Sequence, residues 1–395
     1  MTKSQAKGYL YEIFITHLLK QNSFLHCKKN NNDNHEDNIA NNKYKCGVVS
    51  ENGELEGRGT KHQIDFIGIY TINIPFVYPI RILTECKYWT KESGSLFKPV
   101  DKSFIREYIG VSKDISENYH SNDLNQKTRF LDIPIVFSAS GFDVEAERLA
   151  WAQGINLVSH SEIPVLRDVL LGINYFIDNV DRSYYRRKEL FPIFKEMVKN
   201  LIEDNIDQNS EEANQLLSEF QRNILNRNTT WHTEEIEIAR DGELNFINVE
   251  QERYIDNFTF NLDNLRASRF PTFLFGTTEY GKLINLIGYG KFPDELFVEK
   301  DEVRCKIFYY EHENEERLAE NDALRTFFIR MDDDPQNREF YFQGNKAMMG
   351  EGFDELPEED RINEKLNFIK ELSIIKEING LTRVIKLKVS FREGV

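Results

Sequence analysis

Apolar residues recur at helical spacing near the start of the chain. Ala6, Leu10, Ile13, Phe14, His17 and Leu18 make a mostly apolar stripe, which predicts a helix over residues 5–20 with Ser4 as its N-cap. The pattern lapses from Asn30 to Asn42, an Asn-rich stretch nearly free of apolar residues that reads as a mobile loop or a hairpin insertion. Runs of strand formers follow at about 44–50, 62–71 and 78–89, punctuated by Gly53, Gly57 and Gly59. Phe104, Tyr108, Val111 and Ile115 share one face of a helix near 100–119. Ile133 to Phe137 centre a strand over 131–138. Asp143 caps a helix carrying Ala146, Leu149 and Ala150, Gly154 ends it, and a last strand runs over 155–158. The order α-β-β-β-α-β-α-β predicts an α/β unit, a hairpin-bearing mixed sheet flanked by helices.

The second half has a different texture. Leu190, Ile193, Phe194, Met197, Val198 and Leu201 recur at helical spacing and predict a helical connector over 171–230. Short alternating segments then predict strands at 233–238, 244–249, 256–261, 303–310 and 381–391, with a helix over 359–378. Residues 231–395 thus read as an α+β domain for partner binding or regulation. Gly288-Tyr289-Gly290-Lys291 lacks both the Lys-Ser/Thr pair of a phosphate loop and the third glycine of a dinucleotide fold, so it reads as a turn.

A length of 395 residues calls for at least two cores. Apolar runs are too short to span a bilayer and the N-terminus has no signal-peptide core, so no membrane role is expected. Cys27, Cys46, Cys86 and Cys305 are scattered without a C-x-x-C pair, which argues against a zinc site or disulfide framework and for a reducing cytoplasm. The net charge of −16 argues against nucleic acid until its distribution is considered. Residues 1–170 hold 20 Lys+Arg and 21 Asp+Glu, so nearly all of the acidity belongs to the second half. A near-neutral first domain with a local basic rim is compatible with phosphate contacts.

Candidate chemistry lies in the second and third strands. Gln63-Ile64-Asp65 and Glu85-Cys86-Lys87 embed charges in apolar strands, where an unpaired charge is expensive. Strand alternation puts Glu85 and Lys87 on one face and turns Cys86 to the other; it likewise puts Gln63 on the face of Asp65. Two carboxylates converging from neighbouring strands make a hard oxygen site suited to Mg²⁺, with Mn²⁺ as a substitute. A Lys ammonium beside such a metal holds an attacking water or the charge developing on phosphate. Arg58, Lys61, Lys91, Lys98 and Lys102 flank these strands as candidate phosphate contacts. Arg182-Ser183-Tyr184-Tyr185-Arg186-Arg187-Lys188 concentrates basic and aromatic residues just beyond, with Arg186 and Arg187 as candidates. A solvated rim and an exposed helix start are the bland alternatives.

Four ordered pieces carry a resemblance. They are Gly8-Tyr9-Leu10-Tyr11-Glu12-Ile13-Phe14, the glycine-led Gly57 to Asp65, Thr84-Glu85-Cys86-Lys87-Tyr88-Trp89, and Ser138-Ala139-Ser140-Gly141-Phe142 with the following Glu145, Ala146, Ala150 and Gly154-Ile155-Asn156-Leu157. Residues from about 5 to 165 resemble the Mrr-like restriction endonuclease domains of the PD-(D/E)xK superfamily, under half the chain. The Asn-rich insertion, the longer span between Asp65 and Glu85, and Ile64 in place of the usual Pro are departures. The resemblance implies a restriction-endonuclease-like fold over 1–170 and a Mg²⁺-dependent DNA endonuclease of prokaryotic restriction or anti-phage defence. In that reading Asp65, Glu85 and the Cys86 carbonyl hold metal, Lys87 is catalytic, Glu12 reaches the site from the first helix, and Gln63 supports it. It further implies DNA as partner, a homo-oligomer, and activation by an ATPase or sensor subunit. A DNA- or protein-binding module without cleavage, and an RNA- or junction-directed nuclease on the same fold, are the alternatives.

Overall fold

The computed structural model describes residues 2–20, 24–29, 36–50, 53–71, 78–88, 99–118, 129–160, isolated positions between 163 and 186, and then 272–278, 283–290, 294–298, 300–309, 325–344, 369–379 and 381–389. Expected elements at 190–225, 233–238, 244–249 and 256–261 lie outside them, as do residues 30–35 of the Asn-rich loop.

The first unit is α/β. Helix α1 (Lys3–Lys20) leads to a short strand β1 (Phe24–His26), helix α2 (Glu36–Tyr44), strands β2 (Glu54–Glu56), β3 (Lys61–Gln63), β4 (Phe66–Tyr70) and β5 (Ile80–Lys87). Helix α3 (Lys102–Ser116), β6 (Leu131–Ser138), α4 (Val144–Ala152) and β7 (Asn156–Ser159) complete it. The main sheet has the order β1-β4-β5-β6-β7; β1, β4 and β5 are antiparallel, whereas β5, β6 and β7 are parallel. β5 is therefore central, and its run Ile80-Arg81-Ile82-Leu83-Thr84-Glu85 is buried throughout, as a strand covered on both faces requires. On one face α1 packs with Leu10, Tyr11, Phe14 and Leu18 against Phe66, Ile82 and Phe137. On the other α3 and α4 pack with Ile105, Tyr108, Ala146 and Ala150 against Leu83 and Val136. Helix α4 starts on the predicted cap, Asp143 accepting from the Ala146 amide, and α3 starts on Asp101, which accepts from the Ser103 and Phe104 amides. Helix α1 starts at Lys3, ahead of the expected cap Ser4, and Thr2 Oγ1 accepts from the Gln5 amide instead.

Four expectations change in the first unit. The strand expected at 44–50 is the end of α2 followed by a turn with Lys45 at φ 55° and Gly47 at φ 83°, leaving only a bridge between Val48 and Leu55. The strand expected at 62–71 is two strands in two sheets. β3 pairs with β2, β4 pairs with β1 and β5, and the chain bends between them at Ile64-Asp65. The insertion carries helix α2 instead of remaining a loop. Cys27 and Cys46, read as unpaired, are both buried and disulfide-linked with Cα atoms 6.6 Å apart, tying the end of β1 to the segment after α2. Their 19-residue separation has no motif form, so only the folding of the insertion brings them together.

The described residues of the second half are strands with one short 3-10 turn, Asp294–Phe297. β8 (Thr272–Thr278), β9 (Leu283–Tyr289), β10 (Glu302–Tyr309), β11 (Arg325–Met331), β12 (Glu339–Gly344), β13 (Ile369–Ile378) and β14 (Leu381–Val389) close into a barrel, β10-β11-β12-β9-β8-β13-β14. The parallel pair β10–β14 makes the closure, which leaves no edge strand. Gly288-Tyr289, expected as a turn, ends strand β9, and the ring of Phe340 lies over Gly288 where a side chain would collide. Of the helix expected over 359–378, residues 369–378 form strand β13, and 359–368 lie outside the described residues. Ile369, Leu372 and Ile374 all face the core because the register shifts between Ile369 and Glu371. That bulge gives a strand the three-residue spacing of a helix.

The barrel is docked on the first unit through buried polar groups. Gln343 of β12 accepts from the Ser159 amide at 2.8 Å and donates to the Ser159 carbonyl at 3.1 Å. His160 lies between Tyr11 of α1 (3.0 Å) and Tyr289 of β9 (3.4 Å). Tyr70 donates to the Ile375 carbonyl at 3.0 Å. Burial lowers the His160 pKa to about 3, so the ring is neutral and joins two hydroxyls without bringing a charge into the interface. Among the described residues no helix is long and apolar enough to cross a membrane.

The Ser159–Gln343 pair yields a prediction. Gln343→Ala leaves a buried N–H and C=O without their partner, and each such group costs about 1–3 kcal/mol. Urea unfolding of the variant is expected to show a lower midpoint at unchanged slope.

Candidate active site

The C-terminal end of β5 carries the charges. Asp65 sits in the bend before β4, and Phe66 pairs with Thr84, so Asp65 lies just past the end of β4 beside Cys86. Its Oδ2 accepts from the Cys86 amide at 2.8 Å. Because the N–H and C=O of a strand residue leave on the same side, the Cys86 carbonyl opens on that side too. Glu85 and Lys87 share the opposite face from the Cys86 thiol, as alternation predicts, and Lys87 Nζ donates to Glu85 Oε2 at 2.7 Å. The Glu85 and Lys87 side chains are only 12% and 19% exposed.

This is a costly arrangement without a cation. Burial raises the Glu85 pKa to about 7, the negative charge of Asp65 adds to it, and Lys87 opposes it. Asp65 is also raised by burial, against the pull of Lys87 and the Cys86 amide. For Lys87, burial pulls downward, but Glu85 and Asp65 outweigh it and hold the ammonium above its usual value. Burial pushes the Cys86 thiol well up, and the carboxylates of Asp65, Glu12 and Glu85 push it further, so it is a neutral thiol.

Helix α3 supplies the far wall. Lys87 Nζ lies 4.6 Å from the centroid of the Phe104 ring, which stacks on Tyr108, and the Tyr108 hydroxyl donates to the Leu83 carbonyl. Glu107, one turn along α3, adds its negative charge to the environment of Glu85. The sequence reading missed Glu107; its i+3 spacing from Phe104 was the available signal.

Other expected residues fall elsewhere. Glu12 is not among these: its charge acts on Cys86, between Glu85 and Lys87 in the chain, and on Tyr9, while Glu107 acts on Glu85. Gln63 is exposed in the β2–β3 hairpin, and its strand ends before Asp65, so the alternation that would place it beside Asp65 is broken. Arg58 is ion-paired to Glu117 at 2.7 Å. Lys61 is exposed on β3, Lys102 pairs with Glu145, and Arg186 is exposed in a helical position. Lys91, Lys98 and Arg187 lie outside the described residues. The glycine-led loop before β3 is held by Asp114 of α3, which accepts from the Gly59 amide at 3.0 Å and from His62 at 2.8 Å. A side chain at Gly57 would meet Asp114 Oδ2 at 2.2 Å, which is why this loop needs glycine.

Among the described residues no group of three or more His, Cys, Asp or Glu side chains gathers to hold a metal. The donors present do fit one hard cation. Asp65 and Glu85 are carboxylates forced together against their own repulsion, and the Cys86 carbonyl adds a neutral oxygen.

No family model matches this chain, and no curated protein matches it. Among solved structures, the crystal structure of AF1548, a protein of unknown function, is similar at 15% identity and TM-score 0.31, over 54% of this chain and 96% of that one. A likeness at that score carries no argument about fold or chemistry.

Two pH predictions follow from Glu85. Its pKa of about 7 in the folded chain lies above its ordinary value of 4.5, so the metal-free fold is favoured at low pH and loses that contribution as pH rises through about 7. In EDTA, thermal unfolding is expected at lower temperature at pH 8 than at pH 5 for this reason, and Glu85→Gln reduces the difference. Metal binding has the opposite slope, because the ligands must lose their proton. Calorimetric Mn²⁺ affinity is expected to rise up to about pH 7 and level off above it, with the midpoint moved to lower pH in Glu107→Gln.

Proposed function

We propose that this protein is a divalent-metal-dependent nuclease with a restriction-endonuclease-like first unit. The observation that carries this reading is the convergence of Asp65, Glu85 and Lys87 at the end of one central strand, all largely buried and all electrostatically linked. Buried like charges of this kind are costly and recur at functional sites.

Asp65, Glu85 and the Cys86 carbonyl would hold a Mg²⁺ ion, which when bound would supply Lewis-acid polarisation of a phosphodiester oxygen and lower the pKa of a bound water. The residues of the chain do the rest. The Cys86 amide fixes the orientation of Asp65. Glu85 and the Phe104 ring hold Lys87 in place, and its ammonium stays charged through the working pH range. Lys87, held beside Glu85, is the group that would hold an attacking water or offset charge on the scissile phosphate. Burial on the α1 and α3 faces keeps competing water from the carboxylates. DNA is the expected substrate, within prokaryotic restriction or anti-phage defence, with self-association and a partner subunit such as an ATPase as further elements of this reading.

Cleavage of plasmid, linear, single-stranded DNA and RNA in Mg²⁺ or Mn²⁺ tests it. Metal-dependent cutting is expected, reduced about a hundredfold or more by Asp65→Ala and by Lys87→Ala, the loss typical of removing a charge-stabilising group. Equal cutting by wild type and both variants overturns the assignment, and metal binding without cleavage of any substrate favours a binding module.

A further inference from the structure

A cavity of about 310 Å³ lies at the other end of β5 from the carboxylates. Arg81 lines it, four residues before Glu85 on the same strand face, roughly 13 Å away at about 3.3 Å per residue. The volume is within the range of small-ligand sites. One wall is the last turn of α2 with Asn42 and the segment after it with Lys45 and the Cys46 that the disulfide anchors; the other is the end of α3 with Ser116.

The floor is built around a buried charge pair. Arg81 Nε and Nη2 grip Asp132 at 2.6 and 2.9 Å, and Nη1 donates to the Cys46 carbonyl at 2.8 Å. The Asp132 charge is thus neutralised locally. The Arg81 guanidinium lies 4.5 Å from the centroid of the Phe130 ring, which is the aromatic wall of the cavity. At the rim stand two further cations. Lys45 is exposed and held at φ 55°, a left-handed conformation unusual for a non-glycine residue. Arg129 is exposed and lies over the Tyr78 ring at 4.9 Å. Glu56 is the other carboxylate in the lining, so three cations face two carboxylates.

We propose that this cavity binds a mononucleotide-sized phosphate ester, its phosphate at Lys45 and Arg129 and its base at Phe130. Two exposed cations and a half-buried aromatic ring in one lining match a ligand that is anionic at one end and flat at the other. Asn42 and Ser116 add an amide and a hydroxyl for its polar edges. The Asn-rich insertion has a role in this reading: it folds as α2 and the turn at Lys45, and so closes one side of the cavity.

Calorimetry of the full chain in EDTA, with AMP and with inorganic phosphate, tests the site without use of the metal centre. The expected result is saturable AMP binding, tighter than phosphate, weakened at least tenfold in the double variant Lys45→Glu/Arg129→Glu and unchanged in Asp65→Ala. Both rim residues are exposed, and circular dichroism confirms that the double variant is folded. No saturation at millimolar AMP, equal affinity for phosphate and AMP, or full affinity in the double variant overturns the proposal. None of these outcomes depends on whether the protein cleaves nucleic acid.

Discussion

Two carboxylates that repel each other at the buried end of a central strand set the terms for the first unit. Asp65 and Glu85 are placed where burial raises both pKa values, and the chain offsets that cost with one ammonium and one amide. The offsets depend on distant parts of the fold. The Cys86 amide is available to Asp65 only because β4 starts one residue later and leaves that end of β5 unpaired on the side of β4. Lys87 is confined by Phe104 on α3, and α3 is anchored by the Asp101 cap and by the Tyr108 bond to the Leu83 carbonyl. Strand pairing, helix capping and ring stacking thus act on a few atoms.

The barrel is joined to the same framework. Tyr11 belongs to the α1 face that covers Cys86, and it is linked through His160 to Tyr289 of the barrel. Gln343 satisfies both main-chain groups of Ser159 at the end of β7. Tyr289 and Tyr341 share a hydrophobic cluster with α1 and the main sheet. Unpaired polar groups in such an interface are expensive, so the two units are held in one register and not merely tethered. The contacts run from the barrel through His160 to Tyr11 on the α1 face of the sheet.

Much of the first unit was legible because its periodicities are local. The α1 stripe, the helix near 100–119 and the 131–138 strand lie where spacing puts them, and Asp143 caps its helix as expected, whereas α1 begins at Lys3 and not after Ser4. Glu85 and Lys87 share a face because alternation within one strand needs no knowledge of its partners. Gln63 failed the same argument because the chain leaves one sheet and enters another at Ile64. The β13 strand was read as a helix because a bulge alters its period, and bulges are set by the partner strand.

The sequence by itself determined the α/β character of residues 1–170, the charged pair on one strand face and the acidity of the second half. These follow from composition and from periods of two and 3.6 residues. Tertiary structure alone decided that Glu107 adds its charge to the surroundings of Glu85, that Cys27 meets Cys46, that the Asn-rich insertion walls a cavity with Arg81, and that seven strands close into a barrel docked on His160. Each of those joins residues far apart in the chain, and a residue's near neighbours carry no record of which distant side chain will be packed against it.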